Sequence, residues 1–390
     1  MKIISVVGAR PNFMKIAPFV RAVERHNASA AADGGPRLEH RLVHTGQHYD
    51  ERMSRAFFDA LDIPRPDTDL DIGSGSHAEQ VGQTMMAFEK VIRQSPPDWV
   101  VVVGDVNATC ACSITAKKEG VRVAHIEAGL RSRDMTMPEE INRLVTDRLA
   151  DLLFTPDELS GANLRAEGVP EERIRFVGNI MIDTLEIHRA QAEALSVDSI
   201  IANNRLEGGT EQRAPVRLDP SQPFALLTLH RPSNVDRRET LEPLVRLFVD
   251  EIASRTPLVW TIHPRARKQL EEFGLWDDLL SCPRIVLLEP LGYPETLKLN
   301  MEAAVVLTDS GGMQEECCVL GTPCLTLRWN TERPITLREH GGVSVLVGND
   351  PGHIRSAFNE AMAWGRQPVR PPLWDGRTAD RIAEALAREK

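Results

Sequence analysis

The 390-residue chain lacks the features that mark several large classes of protein. No apolar run approaches the roughly 18 residues of a membrane span, so the sequence predicts no membrane protein. Acidic residues (56) outnumber basic ones (46), and the net charge of -10 makes nucleic acid an unexpected partner. Because no global charge attracts anions, an anionic ligand would have to be held by local groups. The 42% of hydrophobic residues is typical of ordinary globular domains.

Signatures of metal and cofactor chemistry are also missing. The six cysteines form no CxxC pair and no HExxH occurs, which argues against zinc. No Walker A pattern occurs, and the one match to the dinucleotide fingerprint, GSGSHA, does not follow a buried strand. We interpret it as a helix start that is capped by Ser74 or Ser76. The sequence therefore predicts no metal and no cofactor, and the cysteines predict reduced core thiols in a cytoplasmic protein.

The chain does contain a repeated alternation of short β-branched runs and amphipathic segments. The first run predicts a buried strand rather than a signal peptide. The runs are continuous, which is typical of parallel strands buried on both faces. The alternation predicts an α/β fold with two Rossmann-like, doubly wound domains of six strands each. Strands are expected near 3–7, 40–43, 99–103, 121–125, 151–154 and 174–177, and near 224–229, 257–262, 284–288, 303–307, 322–327 and 343–347.

The same pattern predicts the domain limits. The N-terminal domain is expected over 1–180, with a helix at about 374–390 packing back on it, and the C-terminal domain over 181–373. Residues 207–222 are rich in Gly, Pro and polar groups and predict a surface loop. Polar residues directly follow the strands, where open α/β sheets bind ligands. Two such edges predict a cleft between the domains.

The segment TDSGGMQEE follows a strand and opens a helix. Thr308, Asp309 or Ser310 can cap that helix, and Gly311 and Gly312 let its backbone approach a ligand. Free N–H groups and the helix dipole favour a phosphate at this position. The alternative is a capped helix with no ligand.

The first strand leads into GARPNFMK. Arg10 and Lys15 place two cations near a helix start, where they oppose the helix dipole. This arrangement predicts a bound anion, and the alternative is two solvated surface cations.

Carboxylates follow two neighbouring strands of the first half. Asp105 lies in GDVNAT and Glu127 in HIEAGLRS, and Glu139 and Glu140 follow in MPEEINR. Crowded carboxylates repel one another, which raises the pKa of some of them and suits acid–base chemistry. The alternatives are a helix cap by Asp105 and a salt bridge of Glu139 or Glu140 to Arg143.

Three further candidates lie in the second half. His230 of LTLHRPSN ends a strand beside Arg231 and suits a diphosphate, or else a structural hydrogen bond. His263 of IHP is a weaker case of the same kind. Arg328 belongs to RWNTERP, for which the alternative is a loop salt bridge.

Together and in this order, the motifs G-x-RP, TGQH, GD, EAGLRS, PEE-x-NR, HR and TDSGG-x-QEE resemble the non-hydrolysing UDP-N-acetylglucosamine 2-epimerases. The resemblance covers nearly the whole chain. It implies a GT-B fold, a homodimer and a nucleotide held mainly by the second domain. It also implies reversible epimerisation at C2 of UDP-GlcNAc to UDP-ManNAc, through elimination of UDP to a 2-acetamidoglucal and readdition. Such an enzyme supplies ManNAc-type precursors for cell-surface polysaccharide.

The resemblance also implies roles for single residues. Three carboxylates and one histidine match catalytic positions, and nine residues are assigned to substrate binding. Two more match residues that hold a second, activating UDP-GlcNAc. The catalytic set is Asp105, Glu127, Glu139 and His230; the binding set is Arg10, Lys15, Arg143, His263, Ser310, Gly311, Gly312, Glu316 and Arg328; the activator set is Gln47 and His48.

The chain departs from the family pattern at Asn12, where many members have Glu, at Val106 in place of Thr, and in HRPSN in place of HRREN. The first and third departures bear on sugar preference or regulation. The competing functions are a glycosyltransferase of the same architecture, a hydrolysing epimerase that releases ManNAc and UDP, and a silent nucleotide-sugar sensor. A modified sugar, such as a 3-acetamido derivative, is an alternative substrate.

Overall fold

The computed structural model describes residues 1–8, 10–33, 35–46, 65–206 and 222–389. Within these ranges the chain forms two compact units. One consists of Met1–Ile187 together with Pro371–Lys390, and the other of His188–Arg370. The predicted surface loop at 207–222 lies, except for its last residue, outside the described residues.

The first unit contains a parallel seven-stranded sheet in the order β3-β2-β1-β4-β5-β6-β7. Six of its strands are those that the apolar runs predict. The prediction of six strands was one too few, because the edge strand β3 has only two residues and no apolar run. The strands are β1 Lys2–Val7, β2 Glu39–His44, β3 Thr68–Asp69, β4 Trp99–Val103, β5 Arg122–Ile126, β6 Leu152–Thr155 and β7 Ile174–Phe176.

The second unit contains a parallel six-stranded sheet in the order β10-β9-β8-β11-β12-β13. The first strand of each unit is central, and the fourth strand of the second unit pairs with its first, as in Rossmann folds. The strands are β8 Ala225–Thr228, β9 Leu258–Thr261, β10 Ile285–Leu288, β11 Val305–Thr308, β12 Cys324–Thr326 and β13 Ser344–Leu346.

Helices follow the strands and cover the faces of the sheets. In the first half they are α1 Arg10–Asp33, α2 His77–Gln94, α3 Asn107–Lys118, α4 Pro138–Leu149, α5 Glu158–Ala166, α6 Ile180–Glu193 and α7 Val197–Asn204. In the second half they are α8 Pro232–Val235, α9 Arg238–Arg246, a π-helical turn Leu247–Ile252, α10 Ala253–Arg255, α11 Pro264–Glu272, α12 Trp276–Ser281, α13 Tyr293–Glu302, α14 Gly311–Leu320, α15 Pro351–Ala361 and α16 Thr378–Arg388. Short 3₁₀ turns occur at Glu171–Arg173, Pro334–Thr336 and Arg338–His340.

The segment GSGSHA at 73–78, which matches the dinucleotide fingerprint, is a helix start, as predicted. Ser76 caps α2 by accepting a hydrogen bond from the backbone N–H of Glu79, whose side chain accepts in return from the backbone N–H of Ser76. This reciprocal capping box accounts for the local sequence without a nucleotide.

The last helix, α16, belongs to the first unit and packs on α1. The Asp183 carboxylate caps it by accepting from the backbone N–H groups of Thr378 (3.0 Å) and Ala379 (2.7 Å). Arg25 of α1 pairs with Asp380. These contacts fix the end of the chain to the unit in which it begins.

Among the described helices, none combines the length and the apolar character needed to cross a bilayer. The six cysteines are free thiols, and five of them are buried. In the part of the chain that the structure describes, no group of three or more His, Cys, Asp or Glu side chains is arranged to hold a metal ion.

Candidate functional site

The site of the first unit lies at the carboxyl ends of three adjacent strands. Strand β1 pairs with β4, and β4 pairs with β5 so that Val103 lies opposite Ile126. The residues that follow these strand ends, Gly104 and Glu127, therefore become neighbours. The helix α1 that follows β1 contributes Lys15 to the same place.

Glu127 and Lys15 form a buried ion pair. Glu127 has φ +73, a left-handed conformation that is uncommon outside glycine. Gly104, with φ +68, lies against the pair: a Cβ atom there would come 3.2 Å from Lys15 Nζ and 3.4 Å from Glu127 Oε2. A residue without a side chain therefore suits this turn best. Lys15 is not the solvated surface cation of the alternative interpretation.

Arg143 of α4 joins two carboxylates. Its Nη1 donates to Asp105, while Nε and Nη2 donate to Glu140 at 3.0 and 2.7 Å. Glu140 also accepts from the backbone N–H of Ser132 (3.0 Å) and of Arg133 (2.9 Å). Burial would raise the pKa of Glu140, but these backbone donors and the guanidinium hold it below its ordinary value.

These contacts decide between the alternatives for this region. The predicted salt bridge to Arg143 is confirmed for Glu140. Asp105 does not cap α3, whose N-cap is Val106 with no side-chain hydrogen bond. Instead Asp105 contacts Arg143 and keeps 28% of its side chain exposed, so a ligand can reach it. The expectation of a raised pKa was wrong for Glu140, whose pKa is lowered. Asp105 and Glu127 each contact a buried cation.

Four other predicted residues belong to the first half of the chain. Glu139 is half-buried in the first turn of α4, four residues before Arg143 and so on the same helix face. Arg10 begins α1. Gln47 and His48 lie outside the described residues.

In the second unit, His230 and Asp309 follow the paired strands β8 and β11, in which Thr228 lies opposite Thr308. His230 Nδ1 lies 2.8 Å from Asp309 Oδ1. The buried Asp309 carboxylate also accepts from the backbone N–H groups of His230 (3.1 Å) and Arg231 (2.9 Å) and from Asn234 (3.1 Å). Burial opposes ionisation of Asp309, but His230 and the backbone donors lower its pKa.

An open cavity of about 140 Å³ lies at the carboxyl ends of β8, β9 and β10. The His230 ring lines it and lies 5.5 Å, between ring centroids, from the ring of His263. His263 also caps α11, because its Nδ1 accepts from the backbone N–H of Arg265 at 3.1 Å. The other lining residues are Thr228, Leu229, Thr261, Ile262, Pro290, Leu291 and Thr296.

The TDSGG segment opens α14 as expected. Of the three predicted capping residues, Ser310 makes the cap and accepts from the backbone N–H of Met313 at 3.4 Å. Gly311 and Gly312 begin the helix, and a Cβ atom on Gly311 would come 2.6 Å from Glu332 Oε1. The glycine therefore leaves room for the loop that follows β12.

Glu316 is buried on α14. Its pKa is raised to about 7, because burial and the neighbouring Glu315 raise it more than hydrogen bonds from Tyr293 and Asn300 lower it. A carboxyl group that titrates near neutrality can either accept or donate a hydrogen bond to a ligand hydroxyl.

Arg328 forms the loop salt bridge that was the alternative for RWNTERP. Its Nη2 lies 2.6 Å from Glu332 Oε2. Arg333 contacts the same Glu332 and pairs with Glu315 at 2.8 Å. A buried ionic network thus fixes this loop against α14.

The sequence did not point to Asp309 as the partner of His230, because Asp309 was considered only as a helix cap. A usable signal was present. In a Rossmann sheet the first and fourth strands are neighbours, so the residues that follow LLTL and VVLT must meet.

Comparison with known proteins agrees with this architecture. Residues 30–387 match the family model described as UDP-N-acetylglucosamine 2-epimerase. The chain is 40% identical over 392 residues to the UDP-N-acetylglucosamine 2-epimerase of Methanocaldococcus jannaschii, with all of both chains covered. It is 35% identical over 390 residues to the UDP-2,3-diacetamido-2,3-dideoxy-D-glucuronate 2-epimerase of Pseudomonas aeruginosa, again covering both chains fully.

Two solved structures are similar over the full length of both chains. One is the Methanocaldococcus jannaschii UDP-GlcNAc 2-epimerase in complex with UDP-GlcNAc and UDP, with a TM-score of 0.86 at 38% identity. The other is the Neisseria meningitidis UDP-GlcNAc 2-epimerase bound to UDP-GlcNAc, with a TM-score of 0.83 at 29% identity. The predicted fold of two Rossmann-like, GT-B-type domains is confirmed. The chain belongs to the UDP-N-acetylglucosamine 2-epimerase family.

Proposed function

We propose that this enzyme interconverts UDP-GlcNAc and UDP-ManNAc by eliminating UDP and adding it back. The observation that carries the proposal is the pairing of Glu127 with Lys15, and of Asp105 with Arg143, at the strand ends of the first unit. These pairs bring carboxylates and cations together at one sheet edge. The family membership and the relatives' names support the substrate class.

The chemistry explains why both kinds of group are needed. The hydrogen at C2 of a sugar is not acidic until the C1–O bond to the diphosphate breaks and positive charge develops at C1. In the forward step a carboxylate takes the C2 proton as UDP leaves with the C1–O bonding electrons, which forms the C1=C2 double bond of 2-acetamidoglucal. In the return step a proton adds to the opposite face of C2, and a UDP oxygen bonds to C1. Each proton transfer typically contributes about 10²- to 10⁴-fold to the rate.

The residues divide this work between the two units. Asp105, Glu127 and Glu139 are proposed to exchange the C2 hydrogen, because inversion needs a protonation site on each face. Arg10, Lys15 and Arg143 are proposed to offset the charge of the departing diphosphate, since fixed cations stabilise a leaving anion without reorganisation.

On the second unit, His230 is proposed to donate to the diphosphate. The contact of its Nδ1 with Asp309 supports this role, because it leaves the Nε2 edge for a ligand. Ser310, Gly311 and Gly312 are proposed to bind the diphosphate, and Glu316 the ribose. His263 and Arg328 complete the proposed binding set.

Incubation of the enzyme with UDP-GlcNAc in D2O, followed by proton NMR, tests the reaction. UDP-ManNAc that carries deuterium at C2, with UDP still attached to sugar, is expected. Product without deuterium at C2 would exclude this mechanism. Free ManNAc and UDP in equal amounts would indicate the hydrolysing reaction. UDP release that requires an added acceptor would indicate a glycosyltransferase. Binding without turnover would indicate a sensor.

A modified sugar is the second candidate substrate, favoured by the 35% identity to the Pseudomonas aeruginosa 2-epimerase of a diacetamido sugar. Measuring kcat/KM for both UDP-sugars with one enzyme preparation decides between them. We expect the larger value for UDP-GlcNAc, since the identity to a relative named for that substrate is higher, at 40%.

Four further expectations stay predictions. We propose that the enzyme is a homodimer, that a second UDP-GlcNAc activates it through Gln47 and His48, and that it works in the cytoplasm, which the free thiols support. We also propose that its product supplies cell-surface polysaccharide synthesis. Sedimentation velocity tests the homodimer. The dependence of UDP-ManNAc turnover on added UDP-GlcNAc tests the activation.

A further inference from the structure

His125, in the middle of the first sheet, has a hydrogen-bond acceptor at each ring nitrogen. The residue is fully buried in β5. Its Nδ1 lies 2.6 Å from Asp147 Oδ1, and its Nε2 lies 2.9 Å from the carbonyl oxygen of Gly104. A neutral imidazole has one N–H and one lone pair, so it can satisfy only one of these acceptors.

Neither acceptor can donate in return. A backbone carbonyl only accepts. The Asp147 carboxylate already accepts from Arg131 at 2.7 Å and from the backbone N–H of Gly129 at 3.0 Å. Burial would raise the pKa of Asp147, but His125 and Arg131 hold it below its ordinary value. The ring therefore has to supply a hydrogen on both nitrogens, as an imidazolium does.

The surrounding charges can sustain a buried cation. Arg131 also pairs with Glu167, at 2.7 Å, so two cations face two carboxylates in this cluster. On the far side of the Gly104 turn lies the Lys15–Glu127 pair, which carries no net charge. A buried charge is tolerated when it is paired and fully hydrogen-bonded, as His125 is.

We propose that His125 is a permanently protonated positioning residue for the carboxylates of the first unit. Its Nε2–H fixes the carbonyl of Gly104 and so the turn that presents Asp105. Its Nδ1–H ties this turn to Asp147, which also holds the backbone two residues beyond Glu127 through Gly129.

Gly104 and Glu127 are both left-handed, and Glu127, which is not a glycine, makes this support necessary. Their φ values are +68 and +73. For a non-glycine residue this conformation is unfavourable, and it persists only where surrounding contacts impose it. That the turn serves C2 proton exchange rests on the proposed function, whereas the charge on His125 does not.

Nitrogen NMR of the full-length protein with ¹⁵N-labelled histidine tests the charge. Across pH 6 to 8.5 we expect both His125 nitrogens to show the shifts of a protonated ring, assigned by their loss in His125→Gln. His40 is the internal reference, because burial lowers its pKa to about 4 and its Nε2 faces a hydroxyl, Ser5 Oγ, at 2.8 Å. A neutral ring at His125, like that of His40, would overturn the proposal. The proton between His125 Nδ1 and Asp147 would then belong to the Asp147 carboxyl group.

Asp147→Asn tests the positioning role. Misplacing reacting groups by about 1 Å can cost on the order of 100-fold in rate, so we expect kcat to fall by 10- to 100-fold with KM changed less than about 3-fold. The matched control is Asp157→Asn, a buried aspartate that instead caps α5 through Ser160 at 2.7 Å. It should lower stability while keeping kcat.

The outcomes separate the claims. An equal kcat for the two asparagine variants would overturn the positioning role. If Asp147→Asn does not fold, His125→Gln replaces it in the same kcat and KM comparison, with the same expected loss. Absence of C2 deuteration in the wild type would overturn the proposed function but leave the NMR result valid.

Discussion

Both sheets carry acidic side chains at the carboxyl ends of their strands, but the two units surround these acids differently. In the first unit the acids contact cations: Glu127 contacts Lys15, while Asp105 and Glu140 share Arg143. Each of these acids therefore has a buried cation as its direct neighbour.

In the second unit, Glu315 and Glu332 pair with arginines, but Asp309 and Glu316 are held mainly by neutral donors. Asp309 accepts mainly from backbone N–H groups and from Asn234, with His230 beside it. Glu316 has only Tyr293 and Asn300 as the hydrogen-bond donors that lower its pKa. The first edge therefore joins its carboxylates to cations that can offset a leaving anion, and the second suits groups that adjust to a bound ligand.

The largest expected effect is that of Glu127→Gln. The substitution removes a proposed proton acceptor and leaves Lys15 without its counter-charge. We expect C2 exchange to slow by about 10³-fold, within the range for a general acid–base group. Deuterium incorporation measures the rate, and calorimetric titration with UDP measures the affinity, which should change less than 3-fold if the second unit binds the nucleotide.

Glu171→Gln is the matched control for that experiment. Glu171 is an exposed glutamate of the same unit that pairs with Arg165 at the surface. The rate of C2 exchange in Glu171→Gln should equal that of the wild type. A similar loss of rate in both variants would mean that Glu127 is not special to the chemistry.

The second prediction concerns the pH dependence of Glu316. In the folded state its pKa is about 7, against 4.5 for the ordinary group. Both states are protonated below pH 4.5, so folding carries no penalty there; as pH rises to 7, only the unfolded state releases the proton, and stability falls. The cost above pH 7 is about 3 kcal/mol.

Glu316→Gln cannot ionise and should lose this dependence. Relative to the wild type, the free energy of unfolding of the variant should rise by about 3 kcal/mol between pH 5 and pH 8. Urea unfolding at the two pH values measures it. Parallel curves would show that Glu316 is charged in the fold, and that the contrast between the two units does not hold.

A third test exchanges one acid from each unit for its amide. Asp309→Asn turns an NH2 group toward the backbone donors of His230 and Arg231, and should lower the free energy of unfolding by about 2 kcal/mol. Asp105→Asn keeps an acceptor for Arg143 and is partly exposed, so its loss should be under about 1 kcal/mol. Chemical denaturation gives both values. A larger loss for Asp105→Asn than for Asp309→Asn would contradict the contrast between the two units.

The smallest effect separates crowding from backbone strain. Gly104 and Gly120 both have positive φ, but a Cβ atom meets Lys15 and Glu127 at the first and nothing within 4 Å at the second. Gly120→Ala should cost about 1 kcal/mol from conformation alone. Gly104→Ala should cost a few tenths more and reduce turnover, as measured by thermal unfolding and C2 exchange. Equal losses of stability and turnover would show that the ion pair tolerates the methyl group.

Much of this fold could be predicted from the sequence, because continuous runs such as WVVVV form strands buried on both faces. The motifs after the strands also marked the proposed site. Partners nearby in the sequence, such as Glu140 and Arg143, could also be predicted, but distant partners could not. Asp147 lies 22 residues from His125 on a helix, where it looks like any polar side chain of α4. Pairings of this kind depend on the three-dimensional packing, which no local pattern encodes.

The placement of α16 bears on how a cell makes this protein. The first unit needs Pro371–Lys390, so its folding cannot be completed until the ribosome has synthesised all of His188–Arg370. During translation the Asp183 carboxylate and α1 are made long before the helix they contact, since Thr378 follows Asp183 by 195 residues. A stop codon that removed only the last helix would therefore damage the earliest-made part of the molecule, and leave the later-made one with its own sheet complete.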